Sequence, residues 1–311
     1  MFGTPIQMWV TFGIVVAVAL AVDLGVFHRE AHRITWKLAL AESAGWIALA
    51  LGFNLWLYSS RGPQVGLEFL TSYLVEKSLS VDNIFVFILI FKAFRVPAVS
   101  HHKVLYYGVV GALVLRAAFV LAGIELLQYF HPVLFLFGAI LLITGARMML
   151  PAKRVIRPDR NWLVRATRRF VPVLADYEGE KFLVKRGEKW NATPLFLALI
   201  AVEAMDIIFA LDSVPAVLAI TRDPFIVYSS NAFAILGLRS LYFALADILP
   251  RFRFLHQGLA IVLILVGGKM LVSDWWPIPA SVSLVVIAGV LATTVLTSIA
   301  FSQKSGGMRK T

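Results

Sequence analysis

Five carboxylates stand inside apolar stretches of this chain: Glu76, Asp82, Glu203, Asp206 and Asp212. Placing five such groups uncompensated at the centre of a bilayer would cost on the order of 12–18 kcal/mol. They must therefore face protein or water, with cations as partners. Three basic residues also stand within apolar stretches, Lys77, Arg116 and Arg239. A single acid there reads as bundle glue, paired with one of these bases. Five acids in two similar motifs read as a site. Asn83 and Ser213 each follow a motif aspartate and add a neutral oxygen. Oxygen ligands with no cysteine in the chain suit a hard or borderline divalent cation such as Mg2+, Ca2+ or Mn2+, and suit copper or structural zinc poorly. The candidate metal set is thus Glu76, Asp82, Asn83, Glu203, Asp206, Asp212 and Ser213, with Lys77, Arg116 and Arg239 as counter-ions or gates.

Spacing adds a constraint. Glu203 and Asp206 are three apart and share a helix face. Asp212 lies six beyond Asp206, as Asp82 does beyond Glu76, which is about 240° around a helix. For all the acids to meet, the chain must unwind or kink near 78–83 and 210–215. Pro215 supports the second break by removing a backbone bond. Broken helices would lend free carbonyls to a site near the membrane midplane.

The elements that carry these residues are membrane spans. Of the 311 residues, 59% are apolar and 15% charged, against about 45–50% and 25% in soluble domains. The net charge of +11 therefore does not mark a nucleic-acid binder. Helical spans are predicted at roughly 8–27, 38–58, 67–91, 104–128, 132–150, 194–220, 226–249, 254–272 and 279–301, each near the length that crosses a bilayer. Their first charges, Asp23 and Arg29, follow the opening apolar run, which predicts a retained first span. With nine spans, 22 of the 29 basic residues fall in segments on one side and only Arg61 and Arg222 on the other. By the positive-inside rule this puts the N-terminus outside and the C-terminus in the cytoplasm.

The chain also resembles itself. EKSLSVDN (76–83) matches DIIFALDS (206–213), GALVLR (111–116) matches ILGLR (235–239), and GARMM (145–149) matches GGKML (267–271), in the same order. Each copy carries three spans, and the basic loop between them begins and ends on one side, so the second copy is inverted. Inverted repeats are a transporter architecture. The organisation that follows is two peripheral spans (1–60), repeat one (61–150), a basic cytoplasmic loop (151–193), repeat two (194–276), and a last span with its tail (277–311). The fold class is an all-α polytopic membrane protein of about nine helices.

Within the loop, 161–174 reads as an amphipathic surface helix drawn to anionic lipid and 176–190 as a short hairpin. Asp247 is expected to pair with Arg251 or Arg253, and His28 and His32 to lie in a solvated turn. All six histidines fall in loops or at span ends. No GxxxxGK[ST] motif supports ATP-driven pumping, and neither HExxH nor a Ser/His/Asp arrangement supports an enzyme.

EKSLSVDN and EAMDIIFALDSVPAV (203–217) resemble the TerC family of integral membrane proteins, and WVTFGIVVAVALAVDLG with GVVGALVLR resembles its Alx branch. The resemblance covers nearly the whole chain. It implies a bacterial inner-membrane protein related to the LysE-type transporter superfamily and associated with manganese export. The family's motif acids map onto Glu76, Asp82, Glu203, Asp206 and Asp212. The resulting expectation is a proton-coupled divalent-cation exporter, with Mn2+ as cargo, protons as coupling ion, membrane lipid as surroundings and no resident cofactor. A membrane scaffold or metal-supplying chaperone in metal or tellurite stress is the rival reading.

Overall fold

The computed structural model describes residues 5–27, 36–130, 132–150, 162–187, 189–246, 254–276 and 278–307. His28, His32, Asp247, Arg251 and Arg253 lie outside the described residues. Eleven α-helices occur among those described. They are α1 (Ile6–Phe27), α2 (Trp36–Arg61), α3 (Pro63–Phe94), α4 (His101–Tyr129), α5 (Val133–Met149), α6 (Trp162–Phe170), α7 (Pro194–Leu218), α8 (Pro224–Leu236), α9 (Leu238–Leu245), α10 (Leu255–Val272) and α11 (Ala280–Gly307). Pro63, Pro194 and Pro224 open α3, α7 and α8, where the missing N–H is no loss. Asp223 caps α8 by accepting from the Phe225 N–H at 2.9 Å.

Five described helices are long and apolar enough to cross a membrane, and further apolar helices are shorter. The chain is therefore a polytopic, almost wholly helical membrane protein. Large apolar side chains stand exposed on its surface, among them Ile14, Val18, Leu55, Val114 and Val285. Such a surface suits lipid rather than water.

The inner helices pack in a reciprocal pattern. α3 lies along α8, and α4 along α7; α3 also meets α7, and α4 meets α8; α5 crosses α10. Exchanging α3 with α7, α4 with α8 and α5 with α10 maps this set of contacts onto itself. Gly138 and Gly267 meet at the α5–α10 crossing. A Cβ on Gly267 would stand 2.8 Å from the Gly138 carbonyl oxygen, so only glycine lets the backbones meet.

The breaks in the helices are not where spacing predicts them. α3 runs unbroken through 78–83, and α7 continues through 210–215 with Pro215 inside its final turn. Pro215 leaves the carbonyl of Leu211 without its helical donor, but the helix ends three residues later, so little of it is left to bend. The span predicted at 226–249 is the interrupted one: α8 stops at Leu236 and α9 starts at Leu238, with Gly237 between them.

The loop contains α6 and an antiparallel hairpin of β1 (Leu183–Arg186) and β2 (Lys189–Ala192). It folds back on the bundle. The Tyr177 hydroxyl donates to the Phe94 carbonyl at the end of α3 (2.7 Å), and the Lys103 ammonium of α4 donates to the Glu180 carbonyl (2.6 Å).

Candidate functional site

At the centre of the bundle one guanidinium joins two carboxylates. Arg116 of α4 donates from Nη1 to Glu76 Oε2 of α3 at 2.7 Å and from Nη2 to Asp206 Oδ1 of α7 at 3.1 Å. Its Nε reaches Asp206 Oδ2 at 3.4 Å, and Nη1 also donates to Ser213 Oγ at 3.0 Å. All three charged groups are buried: Arg116 is 1% exposed, Glu76 0% and Asp206 4%. Burial on that scale is tolerable only because the fork of Arg donors is met by oxygens on several sides. The other oxygen of Glu76 accepts from Asn231 Nδ2 of α8 at 2.8 Å.

A cavity of about 310 Å3 opens beside this cluster. Arg116, Asp82, Asn83, Asp212, Ser213 and Thr144 contribute polar atoms to its wall, with Met148, Met205 and other apolar side chains completing it. Asp212 Oδ1 accepts from Thr144 Oγ1 of α5 at 3.0 Å. Asp82 Oδ1 lies 3.4 Å from His256 Nδ1 of α10. The two motif aspartates therefore reach the same cavity, each held by a different neighbouring helix.

Three of the sequence-predicted residues are placed elsewhere. Glu203 presses against α4, where a Cβ on Gly111 would come within 2.2 Å of its Oε1. Its Oε2 is buried without a hydrogen-bond partner. Lys77 donates to the Ala234 carbonyl at the end of α8, at 3.4 Å. Arg239 is buried on α9, which packs against α2, and does not line the cavity.

Among the described residues, no three His, Asp or Glu side chains are gathered so as to hold a metal ion. The acids instead form a guanidinium-neutralised pair, Glu76 and Asp206, next to a second pair, Asp82 and Asp212, that fronts open space. Asn231, Thr144 and His256 are the site residues that spacing missed. Asn231 and Thr144 were legible only as polar residues inside apolar runs, and His256 as a histidine at a span end.

The TerC integral membrane protein family matches residues 61–306. An uncharacterized membrane protein of Myxococcus xanthus is 47% identical over 297 residues, covering 96% of this chain and 93% of its own. A protein of Escherichia coli K12 named "Putative membrane-bound redox modulator Alx" is 45% identical over 303 residues, covering 94% of each chain. An uncharacterized membrane protein of Rickettsia bellii is 36% identical over 291 residues, covering 94% and 96%. No solved structure matches the chain. By the extent of the family match and the depth of these similarities, the chain belongs to the TerC family of integral membrane proteins.

Proposed function

We propose that this protein is a divalent-cation exporter of the bacterial inner membrane, with Mn2+ as its cargo and protons as the coupling ion. The observation that carries the reading is Arg116, a tethered cation held between an acid of each motif beside a cavity fronted by the other two motif acids. A divalent ion entering at Asp82 and Asp212 competes with the guanidinium for carboxylate oxygen. When Arg116 swings aside, Glu76, Asp206 and Ser213 become ligands. When the ion leaves, Arg116 returns or protons take its place. Among the described residues no finished ligand cage stands ready, which suits a site that must release what it binds.

The reciprocal packing of α3–α5 against α7–α10 supports two inverted three-helix repeats, while the one-sided basic residues support a nine-span chain with N-terminus outside and C-terminus cytoplasmic. One repeat rocking against the other would expose the cavity to each side in turn. The protein is then a carrier without enzymatic chemistry.

The experiment is uptake of Mn2+ into inverted membrane vesicles with and without a pH gradient. Asp82→Asn and Asp212→Asn are expected to abolish uptake; unchanged uptake in both would overturn the site. The name borne by the Escherichia coli relative favours a second reading, a membrane protein that modulates redox state by supplying metal or assembling partners. The chain has no cysteine, so such a role would run through metal handling rather than thiols. It is distinguished by variants that lose the partner while Mn2+ flux persists.

A further inference from the structure

Buried hydroxyls on membrane helices ordinarily bond back to their own backbone. Thr71 donates to the Leu67 carbonyl at 2.7 Å, Ser78 to Leu74 at 2.6 Å and Ser230 to Val227 at 3.2 Å. Several residues that share the face of Glu76 break that habit. Ser72 Oγ, Tyr73 OH and Ser80 Oγ are buried on α3 without any hydrogen-bond partner, and so is Oδ1 of Asn231. These residues are 0%, 5%, 1% and 1% exposed.

Their placement is not scattered. Ser72 and Ser80 stand one helical turn before and after Glu76, each roughly 40° around α3 from it, and Tyr73 roughly 60°. Ser80 and Tyr73 fall between Glu76 and Lys77, both of which reach α8. The orphan Oδ1 of Asn231 belongs to the amide whose nitrogen donates to Glu76. Asn231 thus meets Glu76 at the α3–α8 seam, and the two serines flank that carboxylate along α3, about 12 Å apart. The corresponding positions of the second repeat, at an offset of 130 residues, are Val202, Glu203 and Ala210 for Ser72, Tyr73 and Ser80. Two of the three hydroxyls have apolar counterparts and the third is matched by a carboxylate, so the set of neutral hydroxyls belongs to the first repeat only.

Buried polar atoms without protein partners are satisfied by water or an ion. We propose that Ser72, Tyr73, Ser80 and Asn231 form an elongated, hydrated neutral-oxygen subsite running along α3 past Glu76, through which a hard divalent cation passes after the Asp82–Asp212 cavity. The inference rests on the exporter reading. Neutral oxygens replace part of the ion's water shell while binding it more weakly than carboxylates, as a relay station requires. The route to and from Glu76 then follows α3.

The native chain contains no cysteine, so single cysteines report without background. Ser72→Cys and Ser80→Cys would be made in the full-length protein, with Val75→Cys, buried at 0% on the same helix, as the dry control. Each is treated in membranes with a small water-soluble cationic methanethiosulfonate. Both serine positions are expected to react about tenfold faster than Val75→Cys, because a thiolate forms in water and not among apolar groups. Mn2+ is expected to slow them. Correct elution on size exclusion confirms that each variant is folded. Reaction no faster than the control overturns the subsite. Reaction indifferent to Mn2+ also overturns it, while Mn2+ flux with Asp82→Asn and Asp212→Asn judges the exporter reading separately. Ser72→Ala and Ser80→Ala are expected to raise the KM for Mn2+ several-fold; unchanged KM in both counts against the subsite.

Discussion

Arg116 and Glu76 form an ion pair of 2.7 Å in which neither side chain is more than 1% exposed. A pair so placed contributes little net stability over an apolar packing, yet removing one member strands a charge. Arg116→Ala is expected to destabilise the protein by about 3–5 kcal/mol. Arg116→Met combined with Glu76→Gln and Asp206→Asn, which removes all three charges, is expected to lose much less. Thermal unfolding in detergent, followed by intrinsic fluorescence, checks the ordering.

Thr144 holds one oxygen of Asp212 at 3.0 Å across the cavity wall. Thr144→Val keeps the shape and deletes the hydroxyl, at about 1.5–3 kcal/mol for a hydrogen bond to a charged group. The expected result is a KM for Mn2+ raised about tenfold or more with kcat little changed. Vesicle uptake across a concentration series measures both.

His256 faces Asp82 at 3.4 Å from the start of α10. His256→Ala frees that carboxylate on the side open to the cavity. If His256 guards Asp82, the variant binds Mn2+ more tightly and releases it more slowly, so KM and kcat fall together. Equal KM with unchanged kcat would show the histidine to be a bystander.

Gly267 and Gly138 bring α5 and α10 into backbone contact. A Cβ at Gly267 would stand 2.9 Å from Leu141 Cβ as well as 2.8 Å from the Gly138 carbonyl, and backbone cannot yield as a side-chain tip can. Gly267→Val is expected to cost about 1–3 kcal/mol through overpacking. Gly268→Val, where nothing stands within 4 Å, is the neutral comparison. Their thermal midpoints in one detergent test the difference.

Lys77 sits against the last turn of α8, its ammonium 3.4 Å from the Ala234 carbonyl. A positive charge at a helix C-terminus is worth about 0.3–1 kcal/mol, more when partly buried. Lys77→Met is expected to loosen the α8–α9 junction at Gly237. Faster amide exchange over 234–238, with the rest of the bundle unchanged, is the signature.

Hydropathy alone located most of the elements: every predicted span overlaps a helix, and the loop helix and hairpin appear at 162–170 and 183–192. The acids too were legible, because a carboxylate in an apolar run is costly wherever the chain goes. The expected unwinding failed for a specific reason. It assumed one meeting point for all the acids, whereas Glu76 and Asp206 turn to Arg116 while Asp82 and Asp212 turn to His256 and Thr144. Two faces of an intact helix serve two purposes, so no break is needed. The break that does occur, at Gly237, has no acidic motif to announce it. Glu203 shows the same limit: its partner surface is created by Gly111, a residue that attracts notice only once α4 and α7 are side by side.

The loop between the two halves has a mechanical consequence. Its hydrogen bonds go to α3 and α4 through Tyr177 and Lys103, yet its chain runs directly into α7 through Thr193, whose hydroxyl donates to the Lys181 carbonyl at 2.7 Å. One half grips the buckle while the other is sewn to the strap. In the proposed rocking of the halves, a swing on that side must either carry the hairpin along or unfasten two hydrogen bonds, so the loop would set how far the bundle opens before it resists.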